Sequence, residues 1–415
     1  MAENTATFVH ENLRRNLTAQ VAHGTFSQVG FRIINAPTFI PDLLFALSGS
    51  EIVVGVARSL QALGQTAAPF IGAALVGHRP LILATTFTYG MLMRVQLLVL
   101  AMVTFWLSGS AAAWTICGVL AIYGFVSGIQ TVTVNSLRAK VIPPHRRGIT
   151  MGLRNIFGGG VSAGVAYLAG VYLIADNAMG NGYSALFLIC FLLAIFGMCL
   201  LLLTREPPNT ALAPKRTALG SLRAAPNLIA QHPQFAAYAL ARALGTAGRV
   251  AVPFYILYAH TQITLDGADL GLLTSVWVLT GTTSNLFWGI AADRTGHRII
   301  MVLGIGLWAA SQAVLPLLDS FYAFAWFFAI VGLASGGFMM AAQNLVLELG
   351  DEADRPLMIA TANSTSNLIV TLGPLIGGFV VVSIGYAPLF IATSIVQVAA
   401  VAILVTRVRE PRHRA

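Results

Sequence analysis

Six arginines stand inside long apolar stretches of this chain: Arg32, Arg58, Arg94, Arg154, Arg242 and Arg249. A guanidinium stays charged at physiological pH, and at the centre of a lipid-exposed helix it costs about 2.5–3.5 kcal/mol. Each one therefore needs an acid, a wet cavity or an anionic ligand. Arg58 and Arg154 fall within about two turns of a stretch end and can snorkel, whereas Arg32, Arg94 and Arg249 fall near the middle. The acids within reach are Asp42 and Glu51 at the end of the first hairpin and Glu348 near the end of the tenth stretch. Deep cations outnumber deep acids, and an anionic group on a ligand is one way to balance them; backbone carbonyls, aromatic faces and those acids are the other.

Arg32 and Arg249 lie 217 residues apart, each after a glycine (Gly30, Gly248) and before a proline (Pro37, Pro253). Glycine lets a second backbone approach and proline frees a carbonyl, both useful where a helix bends around a ligand. The alternative is a hinge whose arginine braces a helix end. Helical spacing sets Asn35 beside Arg32, and Arg242 on the face of Arg249 seven residues on. Gln130, Gln343, Asn344 and Asn367 add amides to the candidate binding set, though each also reads as an interhelical hydrogen bond. Asp42 and Glu348 are the candidate proton carriers, with structural pairing near a helix end as the other reading.

These side chains have to be held by elements that suit an apolar solvent. Of 415 residues, 57% are hydrophobic and 9% charged, against about 25% charged in soluble proteins, and the mean hydropathy is +0.78. A water-soluble fold is excluded. Apolar segments run near 20–47, 51–76, 80–107, 112–137, 148–175, 183–204, 234–260, 268–291, 299–318, 321–346, 356–382 and 386–406, each long enough to span a bilayer as a helix. The expected fold is an all-α polytopic membrane protein of twelve transmembrane helices in two pseudo-symmetric six-helix bundles. Residues 1–204 would form the first bundle, 205–233 a cytoplasmic linker rich in proline and basic residues, and 234–415 the second bundle with a short cytoplasmic tail.

Most of the remaining Lys and Arg fall on one side of this topology, among them Arg79, Arg138, Lys140, Arg146, Arg147, Arg205, Lys215, Arg216, Arg294, Arg298 and Arg407. Cytoplasmic loops are the positively charged ones, so both termini are expected in the cytoplasm. The net charge of +9 then reflects topology and contact with anionic membrane lipids, and no nucleic-acid partner is expected. The first twenty residues lack the apolar core of a cleavable leader. Cys117, Cys190 and Cys199, odd in number and inside apolar runs, suggest packing and neither a disulfide nor a metal framework. No metal or other cofactor is expected.

The halves repeat. Gly55, Gly64, Gly72 and Gly77-His78-Arg79 recur as Gly271, Gly281, Gly289 and Gly296-His297-Arg298, and Asn135 recurs as Asn344. Parallel six-span repeats are a device in which two bundles rock around a site between them. Between the eighth and ninth spans stands Gly289-Ile-Ala-Ala-Asp293-Arg294-Thr-Gly296-His297-Arg298, a Gly-x-x-x-Asp-Arg-x-Gly-x-Arg pattern at a tight turn. With twelve spans, two halves and a central linker, the chain resembles the major facilitator superfamily over its whole length.

That resemblance implies alternating access, with spans 1, 4, 7 and 10 lining the cavity and Gly289, Asp293, Arg294, Gly296 and Arg298 forming a gating loop. The first-half copy, Gly72 to Arg79, is shorter and has no acid, so the signature is complete in one half only. Leu372-Gly373-Pro374 and Gly377-Gly378 in span 11 are similar to a glycine-proline motif of proton-driven drug antiporters, but that motif belongs in span 5.

The expected function is secondary active transport of a small organic solute, anionic or amphiphilic, with protons as a candidate coupling ion. Proton-coupled efflux of drugs or hydrophobic compounds is the alternative, and a non-transporting receptor or assembly factor a third. An enzyme is not expected, since there is no nucleophile elbow, acid pair, metal cluster or phosphate-binding loop. Arginine outnumbers lysine 22 to 2 in an alanine-rich chain, which suggests a GC-rich bacterial genome and hence the cytoplasmic (inner) membrane; a monomeric permease is expected.

Overall fold

The computed structural model describes residues 2–77, 79–208, 229–349 and 355–410. Every regular element among them is helical. Backbone polar groups in lipid must be satisfied within their own segment, and a helix does this residue by residue. A short α1 (Ala2–Glu11) leads into the spans.

Three predicted spans are broken, and prolines stand at the breaks. The first is α2 (Leu13–Asn35) and α3 (Phe39–Ser48), separated where Ala36 turns extended before Pro37, as the residue preceding a proline prefers. The second is α4 (Glu51–Ala67) and α5 (Pro69–Gly77), with Pro69 at a first helical position that needs no N–H. The seventh divides into α10 (Pro233–Gly245), α11 (Gly248–Ala251), a 3-10 turn Val252–Phe254 around Pro253, and α12 (Tyr255–Gln262).

The other nine run as α6 (Leu83–Trp106), α7 (Gly109–Val141), α8 (Pro144–Ala169, closed by a π turn Gly170–Ile174), α9 (Gly182–Leu201), α13 (Gly267–Thr295), α14 (His297–Val314), α15 (Phe321–Glu348), α16 (Arg355–Ile384) and α17 (Tyr386–Arg407). Eight of these are long and apolar enough to cross a membrane as single helices. The polar run Thr280, Thr282, Thr283, Ser284 and Asn285 lowers the ninth, α13. The fourth span extends four residues beyond its expected end, so Arg138 and Lys140 belong to α7 and not to a loop. The centre of the 205–233 segment, with Pro214, Lys215, Arg216 and Arg223, lies outside the described residues.

The chain clusters into two compact units. One holds Met1–Phe39, Leu60–Arg216 and Asp266–Gly271; the other holds Ile40–Ser59, Thr217–Leu265 and Leu272–Ala415. Each unit therefore contains a short piece from the opposite half of the sequence, and the duplicated glycines anchor these pieces. A Cβ on Gly55 of α4 would sit 2.3 Å from the Pro374 carbonyl oxygen of α16, and one on Gly271 of α13 would sit 2.7 Å from the Ala166 carbonyl oxygen of α8. Gly64 and Gly281 likewise meet the backbone of α7 at Phe125 and of α15 at Gly332. Small residues let helices in lipid pack backbone to backbone, and the repeat uses them the same way twice.

A second duplication lies at the helix ends. Arg205-Glu206-Pro207 follows α9 and Arg409-Glu410-Pro411 follows α17. The Glu206 carboxylate accepts from the amides of Ile82 (2.8 Å) and Leu83 (2.8 Å) at the start of α6 and pairs with Lys140 at 2.7 Å. Glu410 accepts from the Arg298 amide (3.1 Å) at the start of α14. A carboxylate on the positive end of a helix satisfies amides with no partner within the helix.

Candidate functional site

A cavity of about 180 Å³ opens within the first unit, lined from four helices. α2 contributes His23, Ser27, Gln28 and Phe31; α6 contributes Met93 and Arg94; α8 contributes Arg154. α7 supplies a stripe at helical spacing, Ser127, Gln130, Thr131, Val134, Asn135 and Arg138, which a 3.6-residue repeat sets on one face. Three arginines and a histidine line the cavity, and none of its lining residues is an acid.

The guanidiniums are taken out of water without being neutralised. Arg94 is 4% exposed, Arg138 7% and Arg154 8%. Arg94 donates to the Gly90 carbonyl in its own helix at 2.9 Å. Arg138 donates to Asn135 Oδ1 at 3.1 Å and to the Met151 sulfur at 2.8 Å, and Arg154 reaches the same sulfur at 3.7 Å. A thioether is a weak acceptor with no charge, yet it occupies the place where two buried cations would hold a carboxylate. The Nε atoms of Arg138 and Arg154 and the Nε2 of Gln130 are buried with no hydrogen-bond partner. Unsatisfied buried donors cost about 1–3 kcal/mol each, more when charged.

The neighbouring helices are cut to fit. A Cβ on Gly24 would lie 2.0 Å from Arg154 Nε, and one on Gly90 would lie 2.9 Å from Gln130 Nε2. His23 Nδ1 lies 3.0 Å from both the Gly197 carbonyl oxygen and Ser27 Oγ, contacts that fix the ring orientation.

Of the candidate binding residues, Gln130 lines this cavity and accepts from Thr133 Oγ1 at 3.3 Å. Arg32 turns back on its own helix, donating to Gln28 Oε1 at 3.0 Å, and Asn35 accepts from Gln61 Nε2 at 3.1 Å. In the second unit Arg242 is buried and donates to Asn363 Oδ1 at 2.6 Å and to the Tyr238 hydroxyl at 3.3 Å. Arg249 is exposed, and the break between Gly245 and Gly248 interrupts the helical face expected to carry both. Gln343 is exposed, Asn344 donates to the Met340 carbonyl at 2.9 Å, and Asn367 is half-buried.

The acids expected as proton carriers both meet histidines of the second unit: Asp42 lies 2.7 Å from His260 Nε2 and Glu348 lies 3.1 Å from His297 Nδ1. In the gating-loop segment, Gly289 has open space around it and Gly296 turns with φ +89°. Asp293 and Arg294 are exposed, and Arg298 donates to the carbonyls of Leu404 (3.0 Å) and Val405 (2.9 Å) at the end of α17. The α14 amide end is met by Glu410, which was not among the candidates.

His23, Arg138 and Arg154 were also outside the candidate set. The polar stripe from Ser127 to Arg138 is the signal that points to them, but the apolar run of the fourth segment stops at 137, one residue before Arg138.

A family model described as Major Facilitator Superfamily matches residues 235–415. The multidrug resistance protein MdtG of Dickeya zeae (strain Ech586) is 26% identical over 157 residues, 37% of this chain and 38% of that protein. The quinolone resistance protein NorA of Staphylococcus aureus (strain Mu50 / ATCC 700699) is 27% identical over 115 residues, 28% of this chain and 30% of that one. The matches thus span well under half the length of these curated relatives.

In fold the likeness covers nearly the whole chain. The nucleoside transporter NupG superposes with a TM-score of 0.75 at 13% identity, covering 95% of this chain and 100% of that one. A bacterial homologue of the human lysosomal transporter Spinster gives 0.66 at 15% identity, covering 96% of each. Residues 235–415 of this multi-pass membrane protein thus match the Major Facilitator Superfamily model, and the chain shares its helical fold with these solved transporters.

Proposed function

We propose that this protein is a secondary transporter that carries a small organic anion across a bacterial cytoplasmic membrane by alternating access. The single observation that carries the reading is the first-unit cavity, where Arg94, Arg138 and Arg154 are each more than nine-tenths buried and no lining residue is an acid. Three uncompensated charges at low dielectric strongly favour an anion that can enter and leave. Of the six in-span arginines read from the sequence, Arg94 and Arg154 line the cavity, joined by Arg138.

In this reading residues 1–204 and 234–415 act as two six-helix bundles with cytoplasmic termini, joined by a cytoplasmic linker, in a monomer surrounded by lipid. The Gly289–Arg298 loop latches the inner end of α13 and α14 to the end of α17 through Arg298. Protons are the coupling ion, with the Asp42–His260 and Glu348–His297 pairs as the groups that take them up and release them.

The names of MdtG and NorA favour a second reading, proton-coupled drug efflux. Against it stand the charge of the cavity, which repels organic cations, and its size. Drug-sized ligands fill pockets of about 300–1,000 Å³, and this one holds about 180 Å³.

The test is uptake into proteoliposomes of labelled organic anions and cations, with Arg138→Gln beside the wild type. Saturable anion uptake that falls at least tenfold in the variant supports the proposal. Cation uptake that both proteins share favours efflux, and no flux of either kind points to a receptor or assembly factor.

A further inference from the structure

The seventh span is interrupted twice, and a proline explains only one interruption. Pro253 lacks an N–H and crowds the carbonyl four residues back, at Arg249, which accounts for the 3-10 turn Val252–Phe254. The turn at Thr246–Ala247 lies upstream of that reach, and Gly245-Thr246-Ala247-Gly248 holds no residue that forbids a helix. There the amides of Ala247, Arg249 and Val250 reach back only three residues, to Leu244 (3.0 Å), Thr246 (2.9 Å) and Ala247 (3.0 Å). Such bonds are those of a 3-10 helix, so the turn is overwound, and a short 3-10 stretch inside a helix often marks a hinge.

Side chains of neighbouring helices keep it overwound. In an α-helix the Gly245 carbonyl would accept from the Arg249 amide; here it accepts from Gln397 Nε2 of α17 at 3.1 Å. Gln312 Nε2 of α14 donates to the Gly248 carbonyl at 3.2 Å. The four residues of α11 are thus held between a turn latched by two glutamines and a turn fixed by Pro253.

A 3-10 turn advances about 120° and 2.0 Å per residue, an α-helix about 100° and 1.5 Å. Relaxing the four residues from Thr246 to Arg249 would turn α11 by about 80° and draw it in by about 2 Å. That rotation is nearly one residue's step, so Val250 would come to point where Arg249 points. Arg249 is exposed and Val250 half-buried. Against Val250 stands the glycine-proline run of α16, where a Cβ on Gly373 would lie 2.5 Å from its side chain and one on Gly377 3.3 Å. Two glycines there leave a backbone surface on which α11 can turn.

We propose that α11 is a swivel with two registers, Arg249 on the exposed face in one and Val250 in the other, and that Gln397 and Gln312 are positioning residues that hold the first. Nothing in the swivel depends on the charge of the solute carried.

The test is thiol labelling of the purified full-length protein in detergent with a water-soluble maleimide. A Cys199→Ser background suits it, because Cys199 is exposed while Cys117 and Cys190 are buried. Single cysteines replace Arg249 or Val250, and with both glutamines in place Arg249→Cys should react at least tenfold faster than Val250→Cys. Gln312→Leu combined with Gln397→Leu shifts the population to the second register, slowing the first cysteine and quickening the second by about fivefold or more. Gly248→Ala presses on the same latch from the backbone, since its Cβ would lie 2.5 Å from Gln397 Nε2, and should move both rates in the same directions.

Opposite movement of the two rates, in protein that melts cooperatively with Cys117 and Cys190 unlabelled, is the expected result. Unchanged rates, or both rising together, overturn the swivel and leave the glutamines as braces of a fixed break. Should the paired leucine variant fail to fold, Gln397→Leu alone and Gly248→Ala still decide.

Discussion

Met151 bridges Arg138 and Arg154 with a sulfur where a carboxylate would stabilise both. Binding sites commonly trade stability for function in this way. Met151→Glu should therefore raise thermal stability, by about 1.5–3 kcal/mol for a hydrogen bond to a charged group, while lowering anion affinity at least tenfold; melting and binding measured on the same preparation check both signs. Gly24→Ala tests the fit from the opposite side. Its Cβ would meet Arg154 Nε at 2.0 Å, so the guanidinium must move, at a cost of about 1–3 kcal/mol typical of overpacking and with weakened binding.

At this scale the sequence showed that deep arginines lack acids and named Gln130. It did not show which arginines converge. Arg32 is satisfied within its own helix by Gln28, whereas the partner of Arg242, Asn363 on α16, and the grouping of Arg138, Arg154 and His23 arise only when separate helices pack together.

Among the elements, the twelve apolar runs were legible because a span must be apolar over about 20 residues whatever its partners. Breaks were harder to place. Pro37 and Pro253 stand at interruptions, but Pro374 stays inside the continuous α16, where Ser59 Oγ accepts from the next amide, Leu375, at 3.0 Å. The break in the seventh span is held by side chains from other helices. Gln397 Nε2 donates to the Gly245 carbonyl (3.1 Å), Gln312 Nε2 donates to the Gly248 carbonyl (3.2 Å), and Thr393 donates to Gln312 Oε1 (2.6 Å).

Gln312→Leu should thus remove the donor to the Gly248 carbonyl and to the Tyr255 hydroxyl and destabilise the second unit by about 1–3 kcal/mol, read as a lowered melting temperature. The two Arg-Glu-Pro triplets were visible in the sequence but unread, because a cap is recognised only when the helix start it serves is known. Glu206→Ala should expose the α6 amides and free Lys140, lowering stability by about 1–3 kcal/mol, with the wild-type melting curve as reference.

For the whole molecule, the duplicated glycines carry the meaning that the repeat suggested. Gly55 against α16 and Gly271 against α8 each tie a short piece of one sequence half into the compact unit built mainly from the other half. Gly55→Leu should force α4 and α16 apart, since even a Cβ there would sit 2.3 Å from the Pro374 carbonyl oxygen, and so increase labelling of a cysteine placed at Ser59 and lower the melting temperature.

The measurement that tests the central claim most directly is counterflow of a labelled small organic anion in proteoliposomes holding wild-type protein, Arg138→Gln or Met151→Glu. Saturable wild-type exchange, reduced at least tenfold in both folded variants, is the predicted result. Wild-type exchange no faster than in empty liposomes, or equal exchange by the variants, would contradict the account.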